Sequence, residues 1–157
     1  MKAVTFIGTA SLIVLLSGCG GPGDSATVPQ AQPAEASSVT ADGFTVHFSA
    51  LSTDQLPPEV ARQYNIVRSK NRAMLNVSIV TQEEGTSVTA AVSVKTVNLT
   101  GQLKNVNMRK IEEQEAIYYI GEIPVANSET LVFDISVVPA GQENPIEVRF
   151  KRQFFTS

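Results

Sequence analysis

The chain has no tryptophan, one histidine and one cysteine, and only 17% of its 157 residues are charged. A lone cysteine excludes an intrachain disulfide, and with it the stapled frameworks that many small exported domains rely on. The lone histidine, His47, stands on the polar face of a strand pattern with no cysteine or acid at ligand spacing. It reads as a surface histidine rather than a metal ligand. No nucleophile elbow, Ser-His-Asp context, phosphate loop or zinc motif is present, so catalysis would have to rest on carboxylates alone. The formal net charge of −3 gives no general attraction for nucleic acid or anionic lipid. No apolar run reaches the roughly 20 residues that a bilayer-spanning helix needs.

What is present begins at the N-terminus. Lys2 precedes an apolar stretch, Ala3 to Leu16, broken only by small or hydroxylated residues (Thr5, Gly8, Thr9, Ser11). The stretch has the length of a signal-peptide core, and Leu16-Ser17-Gly18-Cys19 closes it as a bacterial lipobox. The expectation is cleavage before Cys19 and lipid (diacylglycerol and an N-acyl chain such as palmitate) on its thiol. Several chains together anchor a protein far more firmly than one. Residues 1–18 are therefore read as the signal peptide. Their removal takes Lys+Arg from 12 to 11 against 15 Asp+Glu, a formal charge of −4. Gly20 and Gly21 follow the cysteine where an inner-membrane retention signal would carry aspartate, which favours the periplasmic leaflet of the outer membrane.

Residues 19–42 are rich in Gly, Pro, Ser, Ala and Gln, with Pro22, Pro29 and Pro33 and no aromatic residue. Such a stretch buries too little apolar surface to offset its ordering entropy and reads as a disordered linker. Residues 43–157 then form one domain, long enough to bury a core. Apolar residues alternate over Phe44–Phe48, Ala73–Ile79, Val88–Val94, Val106–Met108, Ile117–Ile123, Leu131–Val137 and Ile146–Phe154. Turn-forming stretches separate them at Gln82–Gly85, Thr100–Gln102, Glu112–Gln114, Pro124–Glu129 and Pro139–Pro145. About seven short antiparallel strands predict an all-β, immunoglobulin-like sandwich, with a small Greek-key barrel as competitor. One short helix is expected between the first two strands, over Pro57–Tyr64, where prolines and Glu59 open a segment whose Val60, Ala61 and Tyr64 share a side.

Few residues invite a functional reading. Met74 and Met108 fall on different strands and fit core packing better than a metal site. Glu112, Glu113 and Glu115 read as a solvated hairpin tip, as do Glu83 and Glu84, because no calcium-loop pattern accompanies them. Arg68, Lys70 and Arg72 alternate on an extended approach to a strand, so their charges would share one face. They suit an acidic partner or, alternatively, protection of a sheet edge. The Ile117–Ile120 strand is apolar on both faces, and Val132 and Val138 also oppose their strand's core face. The outward Tyr118 and Ile120 must be covered by a neighbouring segment, such as the Tyr64 helix, or form a partner surface.

The segments Asn65–Ser78, Asn98–Leu103 and Glu115–Gly121 together resemble an uncharacterised family of exported proteobacterial proteins, domain-of-unknown-function family 4426. The resemblance spans about residues 43–155 and implies an exported single domain. It brings no activity, cofactor or catalytic residue with it. The expectation is thus a monomeric, lipid-tethered binding or accessory module for an envelope protein or peptide, with no cofactor and no nucleic-acid partner. The alternatives are a carboxylate-dependent envelope enzyme, which would show two facing carboxylates in a cleft, and a small-ligand carrier. For the anchor, Cys19→Ala is expected to abolish metabolic labelling with palmitate, because no other thiol can accept the lipid. A Cys19→Ala protein that still takes up label would overturn the lipobox assignment.

Overall fold

The structure, a computed structural model, describes residues 37–157. The signal segment, Cys19 and most of the linker lie outside those residues. Nine strands form two antiparallel sheets. They are β1 (Ser38–Ala41), β2 (Phe44–Ser52), β3 (Arg72–Thr81), β4 (Ala90–Asn98), β5 (Leu103–Lys104), β6 (Arg109–Glu113), β7 (Ala116–Pro124), β8 (Glu129–Pro139) and β9 (Ile146–Phe154). One sheet runs β1-β2-β3-β7-β6 and the other β5-β4-β8-β9. A 3-10 turn (Thr53–Gln55) and the helix α1 (Pro58–Gln63) join β2 to β3. Taking β2 as the first strand, β2-β3-β7-β6 facing β4-β8-β9 is the immunoglobulin constant-type arrangement of two sheets. The all-β sandwich expected from the alternation is what the chain forms.

The core is the sum of the inward halves of those alternations. Val46 and Phe48, Leu75 to Ile79, Tyr119 and Ile123 of the first sheet meet Leu131 to Val137, Ile146 and Val148 of the second. Leu75, Ile79, Leu131, Phe133, Ile135 and Val137 are all 0% exposed. Where an antibody domain has a disulfide and tryptophan, this chain stacks rings. Phe150 lies 4.8 Å from Phe133 (11° between planes) and 4.9 Å from Phe48, which belongs to the opposite sheet. The Tyr119 hydroxyl accepts the Ala90 N–H at 2.7 Å, tying β7 to the start of β4.

A polar staple closes one end of the sandwich. Lys104 Nζ donates to Glu129 at 2.6 Å and to the Pro124 carbonyl at 2.8 Å, joining β5 and β8 of one sheet to β7 of the other. The two side chains are only 13% and 10% exposed. Glu129 also accepts from the Ala126 N–H (2.8 Å) and Asn98 Nδ2 (3.0 Å). Desolvation pushes the Glu129 carboxyl up, but its bonds to Lys104, Ala126 and Asn98 outweigh that and hold it below the usual carboxylate range.

Four expectations are corrected. Strand β1 lies inside the stretch assigned to the linker, so residues 38–42 belong to the first sheet and its turn. Its cause is the two-residue turn Asp42-Gly43, with φ of 51° and 80°, the pattern of a tight hairpin that Asp-Gly favours. The strand count rises from seven to nine, because β1 and the two-residue β5 were too short or too polar to show as alternation. Val106 and Met108 do not lie in a strand. They plug the core over Gly121, where an added Cβ would come within 2.5 Å of Val106 Cγ1 and 2.7 Å of Met108 Sδ. The strand there is β6, five residues that run into Glu113, and the turn falls at Gln114-Glu115 instead of Glu112–Gln114.

Breaking the staple from one side leaves a buried, unpaired carboxylate. Lys104→Met is therefore expected to cost about 3–5 kcal/mol, while Lys104→Met with Glu129→Leu recovers most of it, measured by urea denaturation at neutral pH. Because the folded-state carboxyl is held low, its contribution is present above the ordinary carboxylate range and lost as pH falls through the lowered value.

Candidate functional site

Over β3, β7 and β6 the outer face of the first sheet is not a solvated face, whereas His47 and Ser49 of β2 are exposed. In register across it, Leu51 stands beside Met74, Asn76 beside Ile120, and Ile111 beside Tyr118. The connection 53–71 folds back over this row. A second apolar cluster results, in which Leu56, Ala61 and Ile66 pack on Met74 and Ile120, with Val60, Tyr64, Ile111 and Tyr118 around them. The covered reading of Tyr118 and Ile120 is the one realised: Ile120 is 6% exposed and Tyr118 is half-buried. Tyr118 keeps part of its side chain open at the rim of the cover.

Local sequence explains how the cover is built. Pro58 begins α1 with its φ already helical. The helix ends in a Schellman motif. Asn65 takes φ 53°, its N–H donates to the Arg62 carbonyl (3.2 Å), and the Ile66 N–H donates to the Ala61 carbonyl (2.8 Å). That turn drives Ile66 down beside Ala61. On the return, the fully buried Thr53 hydroxyl sits 2.8 Å from the Val67 carbonyl and accepts the Ser69 N–H at 2.9 Å. At the far rim the cover is clamped to β6. Gln63 Nε2 donates to Glu113 Oε1, and Arg109 Nη2 donates to the Tyr64 carbonyl.

The cover does not fill the face. A pocket of about 190 Å³ remains, roofed by Val60, Tyr64 and Ile66, floored by Met74, Asn76 and Ile120, and walled by Ile111, Glu113 and Tyr118. Asn76 Oδ1 is buried there with no hydrogen-bond partner. Glu113 is the pocket's single carboxylate, and the Tyr64 phenol faces it. Hydrogen bonding to Glu113, with desolvation and the carboxylate's charge adding, pushes Tyr64 up from 10.0 to about 12.

The basic residues do not converge on this site. Arg68 Nη2 is turned back to the Asp54 carbonyl at 2.6 Å. Arg72 pairs with Glu122 at 3.4 Å, and its side chain is 50% exposed. Lys70 is exposed and makes no ion pair among the described residues. Reading along the chain missed Asn76, which passed as an ordinary outward polar residue, and Glu113, which passed as hairpin-tip solvation. The signal available was limited: Asn76 lies between apolar Met74 and Ile120 on one side and polar Ser49 and Ser78 on the other. His47 is exposed on β2 beside Ser78, and no group of three or more His, Cys, Asp or Glu positioned to hold a metal occurs among the described residues.

The Tyr64 phenol is held protonated more tightly in the folded chain than in the unfolded one. The stability it contributes through Glu113 is accordingly intact below pH 10.0 and lost as pH rises through about 12. Ultraviolet titration is expected to show one tyrosine ionising near pH 12 that is absent in Tyr64→Phe; an unchanged titration would mean that Tyr64 and Glu113 do not interact.

Solved structures share the fold. A DUF4426 family protein from Pseudomonas aeruginosa PAO1 is 31% identical with a TM-score of 0.66, over 76% of this chain and 94% of that one. FetP of uropathogenic Escherichia coli strain F11, expressed in the periplasm of E. coli BL21(DE3), is 13% identical with a TM-score of 0.55, over 76% and 93%. A copper-bound variant of that FetP is 12% identical with a TM-score of 0.55, over 76% and 95%. At 12–13% identity the likeness to FetP concerns the fold alone. No curated protein matches the chain. No helix among the described residues is long and apolar enough to cross a membrane. The family described as "Domain of unknown function (DUF4426)" matches residues 38–157, and the chain, matched over that whole stretch, belongs to it.

Proposed function

We propose that this protein is a periplasm-facing lipoprotein, anchored through Cys19 to the outer membrane, that works as a binding module for an envelope partner. Its binding site is the pocket between α1 and the outer face of the first sheet. The observation that supports this is the buried, unpartnered Asn76 Oδ1 on the floor of a mostly apolar pocket. Leaving a buried polar group unsatisfied costs about 1–3 kcal/mol. An apolar residue would serve the fold better, and a ligand that supplies the missing bond accounts for the asparagine.

Size narrows what enters. The pocket of about 190 Å³ is slightly larger than a cavity of about 150 Å³ that admits benzene, and smaller than the roughly 300–1,000 Å³ of drug-sized sites. It suits one branched or aromatic group, which favours capture of a single side chain over carriage of a whole small molecule. A paired-carboxylate reaction has less support, because Glu113 is the one carboxylate lining the pocket.

The test sets stability against capture. Asn76→Leu is expected to raise the unfolding free energy by about 1 kcal/mol and to abolish crosslinking of a partner by a photoreactive residue placed at Tyr118 in cells. Arg68→Ala with Arg72→Ala is expected to lower the melting temperature by only a few degrees, as for exposed residues, and to leave that crosslink intact. If Asn76→Leu destabilises the domain, the asparagine is structural and the proposal fails. If the arginine pair abolishes the crosslink in a folded protein, the binding surface lies there instead.

A further inference from the structure

The pocket shares wall residues with two shallower depressions beside it. Glu113 and Tyr118 of the pocket wall also line a shallow recess over Gln114 and Ala116. That recess shares Glu113, Gln114 and Ala116 with a cleft of about 660 Å³ between the β3–β4 loop and the β6–β7 turn. Glu84, Glu113 and Glu115 line this cleft, and no lysine or arginine lines the pocket, the recess or the cleft. The pocket is therefore a mostly apolar hole of side-chain size with an unsatisfied amide oxygen at its floor, and the cleft beside it is wet and negative.

Resting on the pocket as a binding site, we propose that its occupant is an extended, basic peptide segment of a partner protein. One apolar side chain fills the pocket, the adjoining peptide group meets Asn76, and a lysine or arginine two residues on reaches the carboxylate cleft. Three features favour this occupant. A primary amide offers both a donor and an acceptor, the complement of a peptide group. Residues i and i+2 of an extended chain point to the same side about 6.6–7 Å apart, which matches an apolar site adjoining a polar one. Charge complementarity selects the sign. The same criterion disfavours the chain's own linker, because residues 20–37 contain Asp24 and Glu35 but no lysine or arginine.

The experiment uses the full chain in detergent micelles with three capped tripeptide amides: acetyl-Leu-Gly-Lys, acetyl-Leu-Gly-Glu and acetyl-Gly-Gly-Lys. Binding is followed by saturation-transfer NMR titration at low and high salt. The Leu-Gly-Lys peptide is expected to bind about five-fold more tightly than Leu-Gly-Glu, the scale of one or two exposed ion pairs. High salt should remove that preference. So should Glu84→Gln with Glu115→Gln, two exposed positions outside the clamp. Equal binding of the lysine and glutamate peptides, or a preference that survives the double substitution, would overturn the basic-segment proposal and leave the pocket reading standing, provided both leucine peptides bind better than Gly-Gly-Lys. Leucine peptides no better than Gly-Gly-Lys would overturn both.

Discussion

The architecture turns on one constraint: β7 is apolar on both of its faces. Ile117, Tyr119 and Ile123 face the core between the sheets, while Tyr118 and Ile120 face the other way. A two-layer sandwich covers only one face of each sheet, so this strand needs a third layer. The β2–β3 connection supplies it. Its 3-10 turn, its six-residue helix and the Asn65 turn exist in a form that lays Leu56, Ala61 and Ile66 on Met74 and Ile120. A helix that short is not stable by itself in water. Its order comes from this burial and from the bonds of Thr53, Arg109 and Gln63 at its margins.

The third layer is also why a site exists. One helix turn and a loop cannot tile a sheet face as closely as a second sheet does, and the shortfall is the pocket. Its polar floor and single carboxylate then follow from positions whose side chains would have been solvated on an uncovered sheet. The opposite sheet differs on its outer face. Its outer face keeps ordinary surface pairs, Asp134 with Arg149 and Ser136 with Glu147.

Much of the fold was legible because inward residues must recur every second position, and the long strands β2, β3, β7, β8 and β9 keep that period with only Gly121 in β7 and Arg152 in β9 breaking it. What escaped did so for physical reasons. Strand β1 presents only Val39 and Ala41 and depends on the Asp42-Gly43 turn more than on any apolar pattern. Val106 and Met108 alternate like a strand but satisfy a different demand, filling the space that Gly121 leaves empty. The site was half legible. The double-sided strand announced that Tyr118 and Ile120 needed a cover, and the Tyr64 segment was the natural one. The roles of Asn76 and Glu113 were hidden because period-two alternation assigns a side chain to a face and says nothing of what lies across from it. The alternation of Arg68, Lys70 and Arg72 likewise placed three charges together, whereas two of them are held by separate neighbours.

The way the cover is bonded has a kinetic consequence. Among the described residues, the backbone hydrogen bonds of 53–70 connect that segment only with itself and, through Ser69, with Arg72 at the very start of β3. Its attachments to the sheet are side-chain contacts and a few side-chain bonds at its edges. The segment therefore constitutes a separate opening unit, able to lift and reseat while every strand pairing persists. Solvent exchange at the amides of 56–66 is then governed by that small excursion instead of by unfolding of the domain. A ligand bound beneath would hold the unit shut, so that its residence time and the protection of those amides lengthen together.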